Sequence, residues 1–349
     1  MKKTLSLILC VALALSALLG LASCGEKNDK LPIVCGENGM NEVAGVATYG
    51  VDYYSLGVKA GDMAADILLG LADPATTPVA TDPNPALIVN EAVAAELGFT
   101  IPQAIKDRAT GGTTQTVTRV DSAIIAENGG TADFTVGILQ LVQHVALDLT
   151  NQGFVDQLSV RMDAADKTVK ILDENASGDE SNNVTIAEGF VTKAVDLIYT
   201  IATSSSQAAV AATEDHPEIP VIFNAVTNPV DAGLVASMDA PGANVTGVSD
   251  INPVEDQIAL IAELLGKTDI KIGFLYTSSE TNSQFQISLA KAYCDEMGYE
   301  YVDGAIVDIN DLESTMVRLQ NAGIDAIYIP TDNVIANGVA NVHSINKGE

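Results

Sequence analysis

From Phe134 onward, short runs of β-branched and aliphatic residues alternate with longer stretches whose apolar positions recur at helical spacing. Val136–Leu141 is short and almost continuously apolar, which predicts a strand covered on both faces. Ala146–Val160 follows, with Leu147, Phe154, Val155 and Leu158 near one helical face. Further strands are predicted at Thr168–Leu172, Asp196–Ile201, Ile219–Phe223, Ile270–Tyr276, Tyr301–Val307 and Ile324–Ile329. Helical spacing marks Asn183–Ala194, Gln207–Thr213, Val254–Leu265, Ser283–Met297, Leu312–Asn321 and Val334–Ile345 between and after them. Such alternation predicts α/β architecture, with parallel sheets carrying helices on both faces. Residues 31–110 repeat the grammar: strands at Leu31–Cys35, Val43–Thr48 and Leu87–Val89, helices at Tyr54–Leu69 and Glu91–Leu97, and a proline-rich connector over 73–85. Residues 111–133 break it, with Gly/Thr-rich ends around Ile124 and Ile125, and read as a linker.

In sheets of this kind ligands bind beyond the carboxyl ends of the strands. Those positions carry uncharged hydrogen-bonding groups here. Gln140 and Gln143 end the first strand, and Thr203-Ser204-Ser205-Ser206-Gln207 follows the third. Thr227-Asn228-Pro229, Ser278 to Ser283 and Thr331-Asp332-Asn333 follow three others. Helix N-termini with free N–H groups attract a small anion such as a carboxylate. Each cluster also has a plainer reading as a helix cap, since Ser, Thr, Asp and Asn are expected at such starts. Several on one sheet edge, with Asp332 and Glu37 to face an ammonium, suit a zwitterionic ligand.

Composition narrows the field. Seventeen Lys+Arg against 46 Asp+Glu give a net charge of −29, which repels phosphate backbones and argues against a nucleic-acid partner. Signatures for phosphate-loop, dinucleotide and serine-hydrolase chemistry do not occur, nor does H-E-x-x-H, so no cofactor or metal is implied and no catalytic residue is assigned. His216 and His343 read as solvated, whereas His144 directly follows a strand and can face a cleft.

The first residues have their own logic. Lys2 and Lys3 precede an uncharged run, and Leu21-Ala22-Ser23-Cys24 closes it. A basic start, an apolar stretch and small residues before a cysteine read as an export signal over 1–23 rather than a membrane span. The last four residues resemble the bacterial lipobox, which implies lipidation at Cys24, a tether over 24–30 and anchorage at the outer face of the cell membrane. Cys35 and Cys294 then remain; buried structural thiols are favoured, and a disulfide stays open.

Four further stretches are informative together. They are Val136-Gly137-Ile138-Leu139-Gln140-Leu141-Val142 with His144, Ala225 to Val230 with Gly233-Leu234-Val235, Asn244 to Asp250, and Pro330-Thr331-Asp332-Asn333. They resemble the ABC transporter substrate-binding lipoproteins of the tryptophan/tyrosine type, over 31–110 and 134–349. Asn228 stands where that family usually has Asp, and Val145 where it usually has Pro. The resemblance implies a type I periplasmic-binding-protein fold: two Rossmann-like lobes, a hinge, an aromatic amino acid as ligand, and a permease with its ATPase as partners. The segment like 31–110 comes last in that family and first here, so the chain reads as circularly permuted.

The resulting expectation assigns 134–247 and 50–85 to lobe I, and 248–349, 31–49 and 86–110 to lobe II. Thr203, Ser204 and Ser205, helped by Thr227, are expected to hold the ligand carboxylate. Asp332 and Glu37 are expected to pair its ammonium, with Asn228 weakened for that role by its missing charge. Asn282 and Ser283 are polar contacts from lobe II, and Gln140, His144 and Tyr49 are side-chain walls. A ligand-sensing lipoprotein for a membrane receptor would share these features. An enzyme on the same fold would need a nucleophile–base pair that the strand ends do not offer.

Overall fold

Period-2 alternation shows how each sheet is buried on both sides. In the computed structural model, which describes residues 30–111, 116–126 and 129–348, Ile33 and Cys35 of β1 (Ile33–Cys35) point into one apolar cluster and Val34 into another. Along the chain follow β2 (Ala47–Gly50), β3 (Ala86–Val89), β4 (Ile124–Ile125), β5 (Phe134–Gln140), β6 (Val169–Asn175) and β7 (Leu197–Ile201). Then come β8 (Val221–Asn224), β9 (Val245–Gly247), β10 (Lys271–Thr277), β11 (Glu300–Ile306) and β12 (Ala326–Ile329). They form two six-stranded sheets, ordered β11-β10-β12-β1-β2-β3 and β4-β6-β5-β7-β8-β9. All neighbours are parallel except β2 and β3. The α/β class and the parallel sheets are as the alternation predicts, and the two lobes are as the resemblance implies. Most boundaries shift by one to three residues.

The front segment is shared between the sheets. β1 lies between β12 and β2, with Val34 in register with Tyr328. The helix Tyr53–Leu68, by contrast, packs on the other lobe, against the helix Val145–Ala164. That packing is backbone-close: a Cβ on Gly57 would come 2.2 Å from the Thr150 carbonyl oxygen, and one on Gly153 would come 2.2 Å from that of Tyr54. Two glycines on facing helices let the axes approach where any side chain would collide. Among the described residues the chain crosses between lobes at 50–53, 79–86 and 248–254, and Ala80 bridges Val248 there.

Two features depart from the sequence reading. Residues 116–126 are docked, not a free linker. Ile124 and Ile125 pair with Val169 and Lys170 as an edge strand, Arg119 bonds Asp156 at 2.7 Å, and the Val120 N–H donates to Ser159 Oγ at 2.9 Å. The helix expected over 334–345 is two, Asn333–Asn337 and Val339–Lys347, parted at Gly338, where a Cβ would come 2.4 Å from Ile309 Cδ1. Cys35 and Cys294 are both free and buried in different clusters, so they form no disulfide. Burial pushes both thiols up, Cys294 to about 12, which makes them inert packing residues. The export signal over 1–23 and Cys24 lie outside the described residues. Among the described residues no helix is long and apolar enough to cross a membrane.

Candidate functional site

Parallel strands send all their carboxyl ends one way, and here the two sheets aim those ends at each other. Glu37 follows β1, Thr331, Asp332 and Asn333 follow β12, and Asn282 opens the helix after β10. From the other lobe come His144 after β5, Ala225 and Thr227 after β8, and Asp250 after β9. These residues, with Tyr53, line one enclosed chamber of about 20 Å³, room for a single water. Two larger spaces share its walls. One of about 520 Å³ adds Leu141, Val142, Thr203, Ser204 and Gln207 from one lobe and Glu280, Val307, Ile309 and Val334 from the other. The second, about 630 Å³, adds Val51, Asp52, Asp82 and Pro85 from two crossing segments. A recess of about 660 Å³ lies at the opposite, amino ends of β5, β7 and β8 and contains none of the expected site residues.

The carboxylates of the chamber and of the adjoining 520 Å³ space fall into two kinds. Asp332 is saturated: it accepts from the Thr277 N–H at 2.6 Å, Thr277 Oγ1 at 2.8 Å, Ser283 Oγ at 2.8 Å and the Ile335 N–H at 3.0 Å. Four donors fill a carboxylate's lone-pair positions. Glu280, absent from the sequence expectation, likewise accepts from Asn282 Nδ2, both Asn333 nitrogens and the Val334 N–H at 2.9–3.0 Å. Glu37 and Asp250 have capacity left. Glu37 accepts the Met40 N–H at 2.6 Å and the Gly39 N–H. Asp250 accepts Tyr53 OH at 2.7 Å and Thr227 Oγ1 at 3.2 Å. Burial pushes Glu37 up to about 7 and raises Asp250, and the Asp250 charge raises Glu37 further.

His144 spans the gap. Its Nε2 lies 3.3 Å from Asn333 Oδ1, the one hydrogen bond between lobes that the described residues make outside the crossing segments. Because Asn333 Nδ2 donates to Glu280, the amide oxygen faces the ring, so Nε2 carries the proton. Burial lowers the histidine's affinity for a second proton.

The helix Thr203–Ala212 begins without a side-chain cap, after Ala202 at φ +86°. Ala225 holds φ +54° at the end of β8. Such positive-φ alanines cost roughly 1–2 kcal/mol each. The Thr203 side chain is 95% shielded, lines the 520 Å³ space and makes no hydrogen bond within the described residues.

Of the expected residues, Glu37, His144, Thr227, Asn282 and Asp332 meet in the chamber, and Thr203 and Ser204 line the adjoining space. The others lie elsewhere. Ser205 donates to Asn183 inside lobe I, and Ser283 is consumed by Asp332 and the Thr331 carbonyl. Gln140 is tied to Val142, Asp148 and Asn151, so it braces a loop and makes no wall. Tyr49 packs on the lobe II core beside β3. Asn228 caps its own turn through the Asp231 N–H. Asp332, with its lone pairs filled, shapes the chamber and has none to offer an ammonium. Asp250 and Tyr53 are the residues that the sequence reading missed. Asp250 was visible only as the end of the Asn244–Asp250 stretch, because it follows a three-residue strand with too few positions to show a period.

The ABC transporter substrate binding protein family model matches residues 4–112 and 135–348. The chain belongs to that family. Its two-lobed architecture is of the type I periplasmic-binding-protein kind. A tyrosine-binding protein of Clostridioides difficile strain R20291 is 38% identical over 210 residues, 60% of this chain; the match spans 59% of that relative's length. Among solved structures, an ABC domain from Streptococcus pneumonia in complex with L-Trp is 40% identical, with 61% of this chain and 70% of that chain covered and a TM-score of 0.55. A conserved domain protein of Vibrio cholerae is 33% identical, covering 60% and 72%, with a TM-score of 0.54.

Proposed function

We propose that this substrate-binding protein captures an aromatic amino acid, tyrosine or tryptophan, between its lobes and passes it to a membrane permease driven by an ATPase. The observation that carries the reading is the pairing of opposite chemistries across one cleft. Glu37 and Asp250 offer unfilled carboxylate lone pairs to an ammonium. The uncapped start of Thr203–Ala212, with the Thr203 hydroxyl, offers donors to a carboxylate. Leu141, Val142, Val307, Ile309 and Val334 supply apolar walls for a ring. The central chamber admits only a water, so the ligand needs the lobes to part at the His144–Asn333 contact and close again. The arrangement suits binding rather than catalysis.

Export and lipidation at Cys24 complete the proposal, on the strength of Leu21-Ala22-Ser23-Cys24. So does circular permutation, with lobe I built from 134–247 and 50–85, and lobe II from 248–349, 31–49 and 86–110. Two features support it: the family match in two blocks, and the seat of β1 beside β12. A thermal-shift screen of the twenty L-amino acids tests the ligand. At 100 times its dissociation constant a ligand stabilises by about 2.7 kcal/mol, so tyrosine or tryptophan is expected to raise Tm by several degrees. A screen in which no amino acid shifts Tm rejects the reading. Cys24→Ala is expected to move the protein out of the membrane fraction.

A further inference from the structure

The chamber's charge balance stands out once its lining is complete. Glu37 and Asp250 enter it from different elements, each with lone pairs unfilled, and no lysine or arginine lines it. The charged groups whose fields reach Glu37 are acidic; Asp52, Asp82 and Lys59 line the adjoining 630 Å³ space, with the Lys59 ammonium turned to the Thr81 carbonyl at 2.9 Å. Glu42 lies on its own helix and Cys35 on the preceding strand. Asp250 and Tyr53 face it from the crossing segments. Asp332 faces it from the loop after β12, already filled by four donors, and His144 from the other lobe, its Nε2 proton committed to Asn333. Two buried carboxylates with no cation between them do not both ionise readily.

Resting on the amino-acid reading above, we propose that ligand capture is coupled to proton release: the incoming ammonium displaces a proton held on the Glu37 carboxyl, which leaves to solvent as an N–H···O ion pair forms. The ligand thereby supplies the cation that the site lacks, and the site discriminates against molecules of similar shape without an ammonium. Burial supports this by holding Glu37 near 7, so that about half the ligand-free molecules carry the proton at neutral pH.

Titration calorimetry of the full chain with L-tyrosine and L-tryptophan, in buffers of different ionisation enthalpy at pH 7, reads the proton directly. About half a proton released per ligand is expected, seen as more exothermic binding in Tris than in phosphate. Kd is expected to rise about fivefold from pH 7 to 6 and about tenfold more to pH 5. Glu37→Gln should bind more weakly and lose both dependences, whereas His144→Gln should keep the buffer dependence. Wild-type binding with no buffer dependence, or a dependence that survives in Glu37→Gln, overturns the inference and leaves the ligand reading standing. If neither amino acid binds, both fall together. The wild-type buffer series decides alone if Glu37→Gln does not fold.

Discussion

Leu31 and Asn346, 315 positions apart, hold each other by two hydrogen bonds: the Leu31 N–H donates to Asn346 Oδ1 at 3.1 Å, and Asn346 Nδ2 donates to the Leu31 carbonyl at 2.8 Å. The last helix therefore ends where the first strand begins, and β1 enters the sheet directly beside β12. A chain joined in the order 134–349 then 31–110 is expected to give the same two sheets and the same ligand, because the new junction spans a gap that is already closed. Circular dichroism, unfolding and ligand titration on that chain check it. Misfolding of the rejoined order while the present one folds would count against permutation.

The Gly57–Gly153 contact fastens the front segment to lobe I. Gly57→Ala puts a methyl on the Thr150 carbonyl, 2.2 Å from its Cβ position, and neither backbone can retreat without parting the helices. A loss of at least about 3 kcal/mol is expected in urea unfolding, at the upper end for overpacking. Gly70→Ala, where nothing lies within 4 Å and only the φ of +70° is at issue, should cost about 1 kcal/mol.

Asp332 is expected to behave as a brace. Asp332→Ala strips a helix cap and leaves the Thr277 N–H and Thr277 hydroxyl buried without an acceptor, while the Ser283 hydroxyl keeps only the Thr331 carbonyl. The cost should be about 3 kcal/mol or more, with Asp332→Asn recovering part of it. Unchanged stability with ligand binding abolished would restore Asp332 as the ammonium partner.

Stability should also respond to pH through Glu37. Its folded value of about 7 lies above the unfolded one, so the stability that it contributes is full below about pH 4.5 and lost as pH rises through 7. His144 acts oppositely: its depressed value removes stability as pH falls through about 6.5. Comparing Glu37→Gln with wild type isolates the first effect. The variant should gain on wild type by on the order of 3 kcal/mol between pH 4.5 and 8, measured by denaturant unfolding without ligand.

Strand–helix alternation was legible because buried parallel strands are continuous apolar runs, and the position of Glu37, Thr203 and Thr227 followed from strand ends alone. What local sequence cannot carry is which polar groups are already satisfied. Asp332 is quenched by Thr277 and Ser283, about 50 positions away, and Gln140 by Asp148 and Asn151 on the next helix. Asp250 and Tyr53 form a site pair only because two crossing segments run side by side. Ile124–Ile125 was too short to show a period and became a strand only through its neighbour β6.

Titration of L-tyrosine and L-tryptophan into wild type and Asp250→Asn tests the central claim most directly, since Asp250 lines the chamber with lone pairs unfilled. Wild type is expected to bind at least one of them stoichiometrically, and Asp250→Asn to bind it tenfold or more weakly, about 1.4 kcal/mol or above, with unfolding little changed. Equal affinity in the two proteins would contradict a ligand held between Glu37 and Asp250.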